Sequence, residues 1–229
     1  MSADLDRDQW HPATIEGRLV TLRRHRPENL AAVARWYRDP ELARLTRYQT
    51  RPMTTEEVSQ FFATRLLAPE AMAYAIHQRI DDRLVGLTTF SALDPDNGSA
   101  LFHITIGERD AWGRGLGTDA TDRMLSHAFG RLGLHRVGLS VFSFNERAIR
   151  AYQKVGFRVE GRLREAIWRD GRFFDELQMG VLAGEWRAAH EAWLAAGAAA
   201  GGGGEGIGRS DRPRLLAQGR CARIRPRPR

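Results

Sequence analysis

The sequence predicts one mixed α/β domain, and three observations carry that expectation. With 229 residues, 42% of them hydrophobic, the chain is long enough to bury a substantial core. Residues 101–107 (LFHITIG) read as a β-branched, apolar strand, and the glycine-rich run Trp112-Gly-Arg-Gly-Leu-Gly-Thr118 then opens a helix. That helix places Ala120, Met124, Leu125, Ala128, Phe129 and Leu132 on one face. A second strand, 136–142, is followed by a short helix that starts at Asn145, a favoured N-cap, and stops at Gly156.

The remaining elements follow in order. Residues 18–24 alternate weakly and read as a first strand. Residues 27–38 read as a helix with proline at its start and Leu30, Val33, Ala34 and Tyr37 on one face. Thr54-x-x-Glu57 is a capping box for a second helix carrying Val58, Phe61, Phe62 and Leu66. Residues 71–79 and 84–91 are strands around an Asp81-Asp82 turn, and residues 95–98 (PDNG) turn the chain into the central strand. Residues 158–168 and 173–182 form a hairpin across Asp170-Gly171. Residues 185–194 close the domain as a helix with Trp186, His190 and Trp193 on one side. No internal repeat is present.

A glycine-rich turn opening a helix gathers unpaired backbone N–H groups at the positive end of the helix dipole, a site suited to a phosphate or pyrophosphate. The same glycines also fit a tight turn with no ligand. The run is not a P-loop, because no Gly-Lys-Ser/Thr stands at the required spacing. Gly115-x-Gly117-x-x-Ala120 matches the dinucleotide fingerprint in form only. Residues 108–112 separate the strand from the glycines, and the next strand ends in Ser143-Phe144-Asn145 with no acidic residue.

Asn145 and Tyr152 are seven apart, hence on one side of their helix, within the pattern N-x6-Y-x3-G-F that ends at Phe157. Strand, glycine turn, helix, strand and this pattern together resemble the GNAT superfamily of acyl-CoA-dependent N-acetyltransferases. The resemblance covers roughly residues 15–186 and is sharpest over 100–157. The later segments, 160–165, 170–172 and 175–182, look like the branch that holds ribosomal-protein N-terminal and spermidine acetyltransferases. The resemblance implies a mixed, mostly antiparallel, twisted sheet flanked by helices, with acyl-CoA bound between central strands. It implies acetyl-CoA as co-substrate, its pyrophosphate on the amides of Gly113, Arg114, Gly115, Leu116, Gly117 and Thr118, with the Arg114 charge close by. Trp112 stands where the superfamily usually has Gln or Arg. The pantetheine arm would pair with the backbone of Thr105 and Ile106. Asn145 would both cap its helix and touch the coenzyme, and Tyr152 would be the acid at the leaving thiolate.

Relatives in this branch often carry a glutamate where this chain has Leu101. A base is therefore sought elsewhere. His103 lies two residues on, on the same face of the strand. Glu108, Asp110 and a water chain are the alternatives. Without a strand carboxylate, an α-amine near pKa ~8 is easier to deprotonate than a lysine-like amine near ~10.4. Arg44, Arg47 and Arg51, in the expected groove wall, would favour an acceptor that carries a carboxylate. No metal site is expected.

The net charge of +7 is uneven, since residues 205–229 alone carry eight arginines against one Glu and one Asp. The expected organisation is an N-terminal extension (1–14), an acetyltransferase-like domain (15–195) and a Gly/Arg-rich, disordered tail (196–229). Nucleic acid or ribosome could be held only through that tail. The single cysteine, Cys221, lies in the tail, so the domain has no disulfide or thiolate chemistry. The polar start is no signal peptide and no apolar run approaches the ~18 residues of a membrane span. A cytoplasmic monomer or homodimer is expected. A non-catalytic acyl-CoA sensor and a tail-mediated RNA-associated protein are the readings from other classes.

Overall fold

The computed structural model describes residues 11–200, with side chains as far as residue 191; residues 1–10 and the arginine-rich segment 201–229, with Cys221, lie outside the described residues. Eight strands form one sheet: β1 (Thr14–Glu16), β2 (Val20–Arg24), β3 (Ala73–Gln78), β4 (Leu84–Asp94), β5 (Ser99–Ile106), β6 (Arg136–Phe142), β7 (Arg158–Arg169) and β8 (Arg172–Leu182). Their order is β1-β2-β3-β4-β5-β6-β8-β7. Every neighbouring pair is antiparallel except β5 and β6. Those two pair in parallel at Ser99↔Arg136, Ala100↔Val137 and Leu101↔Gly138 only. Beyond Leu101 they part, while β5 stays paired with β4 as far as Ile106. The mixed, mostly antiparallel sheet is the architecture expected.

The helices are α1 (Leu30–Arg38), α2 (Pro40–Thr46), α3 (Thr55–Phe61), α4 (Leu116–Gly130), α5 (Glu146–Lys154) and α6 (Ala183–Ala200). The capping box forms as read: Thr54 Oγ1 accepts from Glu57 N–H, and the Glu57 carboxylate accepts from Thr54 N–H. Helix α3 then loosens into a π-helical turn over Phe62–Leu66. The expected helix over 27–38 begins as a short 3-10 turn, Pro27–Asn29. Three elements were not expected: β1, the 3-10 turn Arg109–Ala111, and α2, which starts from Asp39 as N-cap with Pro40 at its first position. Helix α6 continues to Ala200, past the boundary at 195. Asp170 and Gly171, both at positive φ, make the two-residue turn between β7 and β8. Among the described residues no helix is long and apolar enough to cross a membrane.

The sheet is covered unequally. One face packs α4, α5 and α6 over Val20, Leu22, Tyr74, Ile76, Phe102 and Val137. Fully buried Met124 and Leu125 of α4 contribute about 1.5–3 kcal/mol each to that layer. Helix α4 also buries two acids. Asp119 accepts backbone N–H bonds from Arg18, Leu19 and Val20 at 3.2, 2.7 and 3.0 Å. Asp122 accepts from Trp186 Nε1 at 3.0 Å and sits 2.8 Å from His190 Nδ1. Both carboxylates are thus supplied with donors, as burial requires. On the other face α1, α2 and α3 pack Val33, Trp36, Leu42 and Val58 over Ala73 and Leu87 of β3 and β4. Helix α2 reaches β6, but much of β6, β8 and β7 is left without a helix on that face, so Leu101 stays 45% exposed and Ser140 is exposed.

Candidate active site

A cavity of about 1220 Å³ opens where β5 and β6 part. The glycine turn and the head of α4 form one end, and β6, β8 and the segment after α2 form the other. Gly113 and Gly115 have φ of +75° and +81°, a left-handed conformation that glycine adopts without the steric cost of a side chain. The first intrahelical bond of α4 is Asp119 N–H to Gly115 O. Among the described residues the amides of Gly113, Arg114, Gly115, Leu116, Gly117 and Thr118 donate to nothing. A row of unpaired N–H groups at a helix start fits a pyrophosphate. Arg147, Arg150 and Lys154 of α5 line the same cavity and add positive charge that the sequence reading did not assign.

The free edge of β5 differs in detail from expectation. Gly107 N–H donates to Val85 O, and the Thr88 hydroxyl donates to His103 O. Alternation along an antiparallel ladder then turns the peptide groups of His103 and Thr105 toward β4, and those of Ile104 and Ile106 toward the gap. Thr105 therefore lines the cavity with its side chain rather than its backbone. The Ile106 carbonyl is taken by Trp112 Nε1 at 2.8 Å. Trp112 thus pins the end of β5 with its indole, whose face carries the Arg147 guanidinium at 3.8 Å.

Asn145 works first as a cap. Its Oδ1 accepts from Ala148 N–H at 3.3 Å and its Nδ2 donates to Leu45 O at 3.3 Å, tying α5 to the end of α2. Tyr152 is buried beside Phe102 and Phe157, edge-on to both, and it lines the cavity. Burial pushes its phenol up to about 12, so the hydroxyl stays a donor throughout the neutral range.

His103 faces the cavity and its Nε2 lies 2.7 Å from Ser91 Oγ. Partial desolvation in the cavity lowers its pKa, although the residue keeps an exposed surface. The two alternative bases are engaged elsewhere: Glu108 holds Arg35 and Trp36 Nε1, and Asp110 pairs with Arg83 at 2.7 Å. The arginine wall is also largely neutralised. Arg44 pairs with Asp170 at 2.6 Å and Arg51 with Glu57. Arg47 alone of the three lines the cavity, donating to Tyr37 O.

Glu176 was missed by sequence reasoning. It lies on β8 opposite Phe142 of β6, 3% exposed, at the floor of the open half-face. The Tyr48 hydroxyl donates to its Oε1 at 2.6 Å. An alternating strand and a distant tyrosine gave no sequence signal that this carboxylate would be enclosed.

Residues 19–158 match the family described as acetyltransferase (GNAT) domain. The chain is 26% identical to the "Uncharacterized N-acetyltransferase p20" of Bacillus licheniformis over 178 residues, 76% of this chain and 98% of that protein. It is 26% identical to the spermidine N(1)-acetyltransferase of Escherichia coli K12 over 168 residues, 73% of this chain and 83% of that one. In fold it is similar to the spermidine N-acetyltransferase from Vibrio cholerae in complex with CoA and spermine. That likeness has a TM-score of 0.66 at 22% identity and covers 74% of this chain and 98% of the other.

Proposed function

The chain belongs to the GNAT acetyltransferase family, and on that premise we propose that it transfers an acetyl group from acetyl-CoA to a primary amine by direct attack. The observation that carries the reading is the row of unpaired amides from Gly113 to Thr118 beside the opened edge of β5. A cradle of six free donors with Arg147, Arg150 and Lys154 nearby fits the anionic half of coenzyme A. Bound there, acetyl-CoA supplies a thioester whose acyl carbon an amine can attack.

The chain's own residues divide the remaining tasks. The peptide groups of Ile104 and Ile106 on the gap side offer strand-like hydrogen bonding for an extended arm, apart from the Ile106 carbonyl that Trp112 already occupies. The Tyr152 hydroxyl, kept protonated by burial, is the donor for a departing thiolate. The His103 imidazole and the Glu176 carboxylate are the two proton acceptors on the sheet within the cavity, the other lining carboxylate, Glu70, lying exposed before β3. The acceptor is a peptide N-terminus or a small-molecule amine lying over the open half-face of the sheet.

Incubating the protein with acetyl-CoA and a panel of amines and N-terminal peptides, while following free thiol, tests this reading. Thiol release that requires an amine supports it. Coenzyme A binding by calorimetry, with no thiol released for any amine, replaces it with a non-catalytic acyl-CoA sensor.

A further inference from the structure

The open half-face of the sheet contains one enclosed carboxylate. Glu176 Oε1 is held by the Tyr48 hydroxyl, while Oε2 makes no hydrogen bond to the described residues. Tyr48 itself is 66% exposed and lies edge-on to Phe142 at 5.6 Å, standing at the cavity wall directly after Arg47. The Arg169 guanidinium donates to the carbonyls of Arg47 and Tyr48 and so holds that segment over β8. A carboxylate this enclosed, with one oxygen open to a cavity, is costly to leave without a cation.

The other charges in the cavity are mostly positive. Besides Glu176 the only lining carboxylate is the exposed Glu70, against Arg47, Arg65, Arg147, Arg150 and Lys154. Glu70 lies at the entry to β3, whereas Glu176 lies in mid-strand on β8. With Arg147, Arg150 and Lys154 facing the coenzyme phosphates, the groove offers one enclosed carboxylate for an ammonium and keeps Arg47 and Arg65 as its other cations.

We propose that Glu176, positioned by Tyr48, is the seat of the acceptor amine, and that the acceptor carries a single ammonium on a neutral or anionic body. This rests on the amine-acetylation reading above. The ammonium passes one proton to Glu176 and so frees its nitrogen lone pair. As nitrogen bonds the acyl carbon, the carbon–sulfur bond breaks and its electron pair leaves on sulfur. Tyr152 gives sulfur its proton, the surplus proton on nitrogen restores the phenol, and Glu176 releases its proton to solvent. A polyamine would bring a second ammonium into a groove whose only other lining carboxylate among the described residues is the exposed Glu70, so the structure assigns this chain an acceptor class different from that of its spermidine-acetylating relatives.

The elements around Glu176 carry few other titrating groups: Arg162 is paired with Asp175, Arg169 sits on backbone carbonyls, and His103 sits on Ser91. The test compares the parent, Glu176→Gln, Tyr48→Phe and His103→Gln, using trialanine, tyramine and spermidine as probes. Free thiol is followed across pH 5–9, and coenzyme A affinity is measured by calorimetry. Trialanine or tyramine should exceed spermidine at least tenfold in kcat/KM. Glu176→Gln should raise KM for the better probe at least tenfold and abolish the acid limb of the profile, with coenzyme A affinity within threefold of the parent. Tyr48→Phe should raise KM for the better probe several-fold with a smaller change in kcat, because the carboxylate loses the hydroxyl that positions it. The limb should survive in His103→Gln. An unchanged KM and profile in a folded Glu176→Gln overturns the proposal, as does a tenfold preference for spermidine. If Glu176→Gln does not fold, an unchanged KM in a folded Tyr48→Phe overturns it instead. A parent that turns over while Glu176→Gln is unaffected refutes only this seat. A parent that binds coenzyme A yet releases no thiol with any probe removes the acetyl-transfer reading and this proposal together.

Discussion

Gly117→Val separates occlusion of the anion cradle from damage to the fold. Gly117 is the second residue of α4, and a Cβ built on it would lie 3.4 Å from Ile106 Cγ1 and 3.9 Å from Cδ1, ordinary contact. Its φ is not positive, so valine meets no left-handed strain. Helix propensity favours valine over glycine by a few tenths of a kcal/mol, so folding stability should stay within about 1 kcal/mol of the parent. The isopropyl group would stand over the amides of Gly117 and Thr118. Losing two hydrogen bonds to a charged ligand, each worth about 1.5–3 kcal/mol, is partly relieved by water and by shifts of the ligand. A net loss of about 2–4 kcal/mol corresponds to coenzyme A binding between roughly thirtyfold and a thousandfold weaker. Calorimetric titration with coenzyme A, beside a thermal melt of the same preparation, reads both quantities. An affinity within threefold of the parent in a variant with unchanged melting temperature would refute the cradle. Gly115→Val is the informative contrast. At φ +81° it adds about 1–3 kcal/mol of backbone strain, so its melting temperature should fall as well.

Two further outcomes are expected. Tyr152→Phe keeps the edge-on contacts with Phe102 and Phe157, so stability and coenzyme A affinity should change little. Losing the donor at sulfur should lower kcat by about 10²–10⁴, and equal turnover with the best amine found would eliminate Tyr152 as that donor. His25, buried against Phe62, has its imidazole pushed down to about 4, chiefly by burial. Its folded pKa lies below the unfolded value, so this contribution is intact above pH ~6.5. It shrinks as the pH falls toward 4, because only the unfolded chain takes up the proton, and it levels off below that. The full loss is about 3 kcal/mol, and urea melts at pH 7, 5.5 and 4 should show His25→Phe losing less stability than the parent. Parallel losses in the two proteins would show that His25 does not titrate in this way.

What the sequence revealed was local. The helix over 116–130, the Thr54–Glu57 box, the Asn145 cap and the Asp170-Gly171 turn each depend on residues a few positions apart. Short-range stereochemistry writes such features directly into the chain. Partnerships between remote segments were not legible. Glu176 is enclosed by Tyr48, 128 positions away, and Arg44 is neutralised by Asp170, 126 away. Asp119 is satisfied by amides about a hundred positions upstream. Which way a peptide group turns is equally hidden. Thr105 and Ile106 look equivalent as sequence, and only the ladder with β4 shows that their backbones face opposite edges. Helix α2 was not legible because its seven residues show too few apolar repeats to be told from a loop.

The parting of β5 from β6 divides the sheet into two leaves whose backbone ladder is only three residue pairs long, with α4 and the core beneath it packed across both. The glycine turn and His103 ride on one leaf, while Glu176 and Tyr152 ride with the other. The constellation is therefore a property of the seam rather than of either leaf, and it exists only while the seam is shut. A molecule lying across that seam acts as a fastener. By mass action, coenzyme A at a hundred times its Kd would hold the leaves together with about 2.7 kcal/mol. Warming in its absence should loosen the join before either leaf melts, with backbone amides of β6 near Gly138 exchanging their hydrogens sooner than those of β3 and β4.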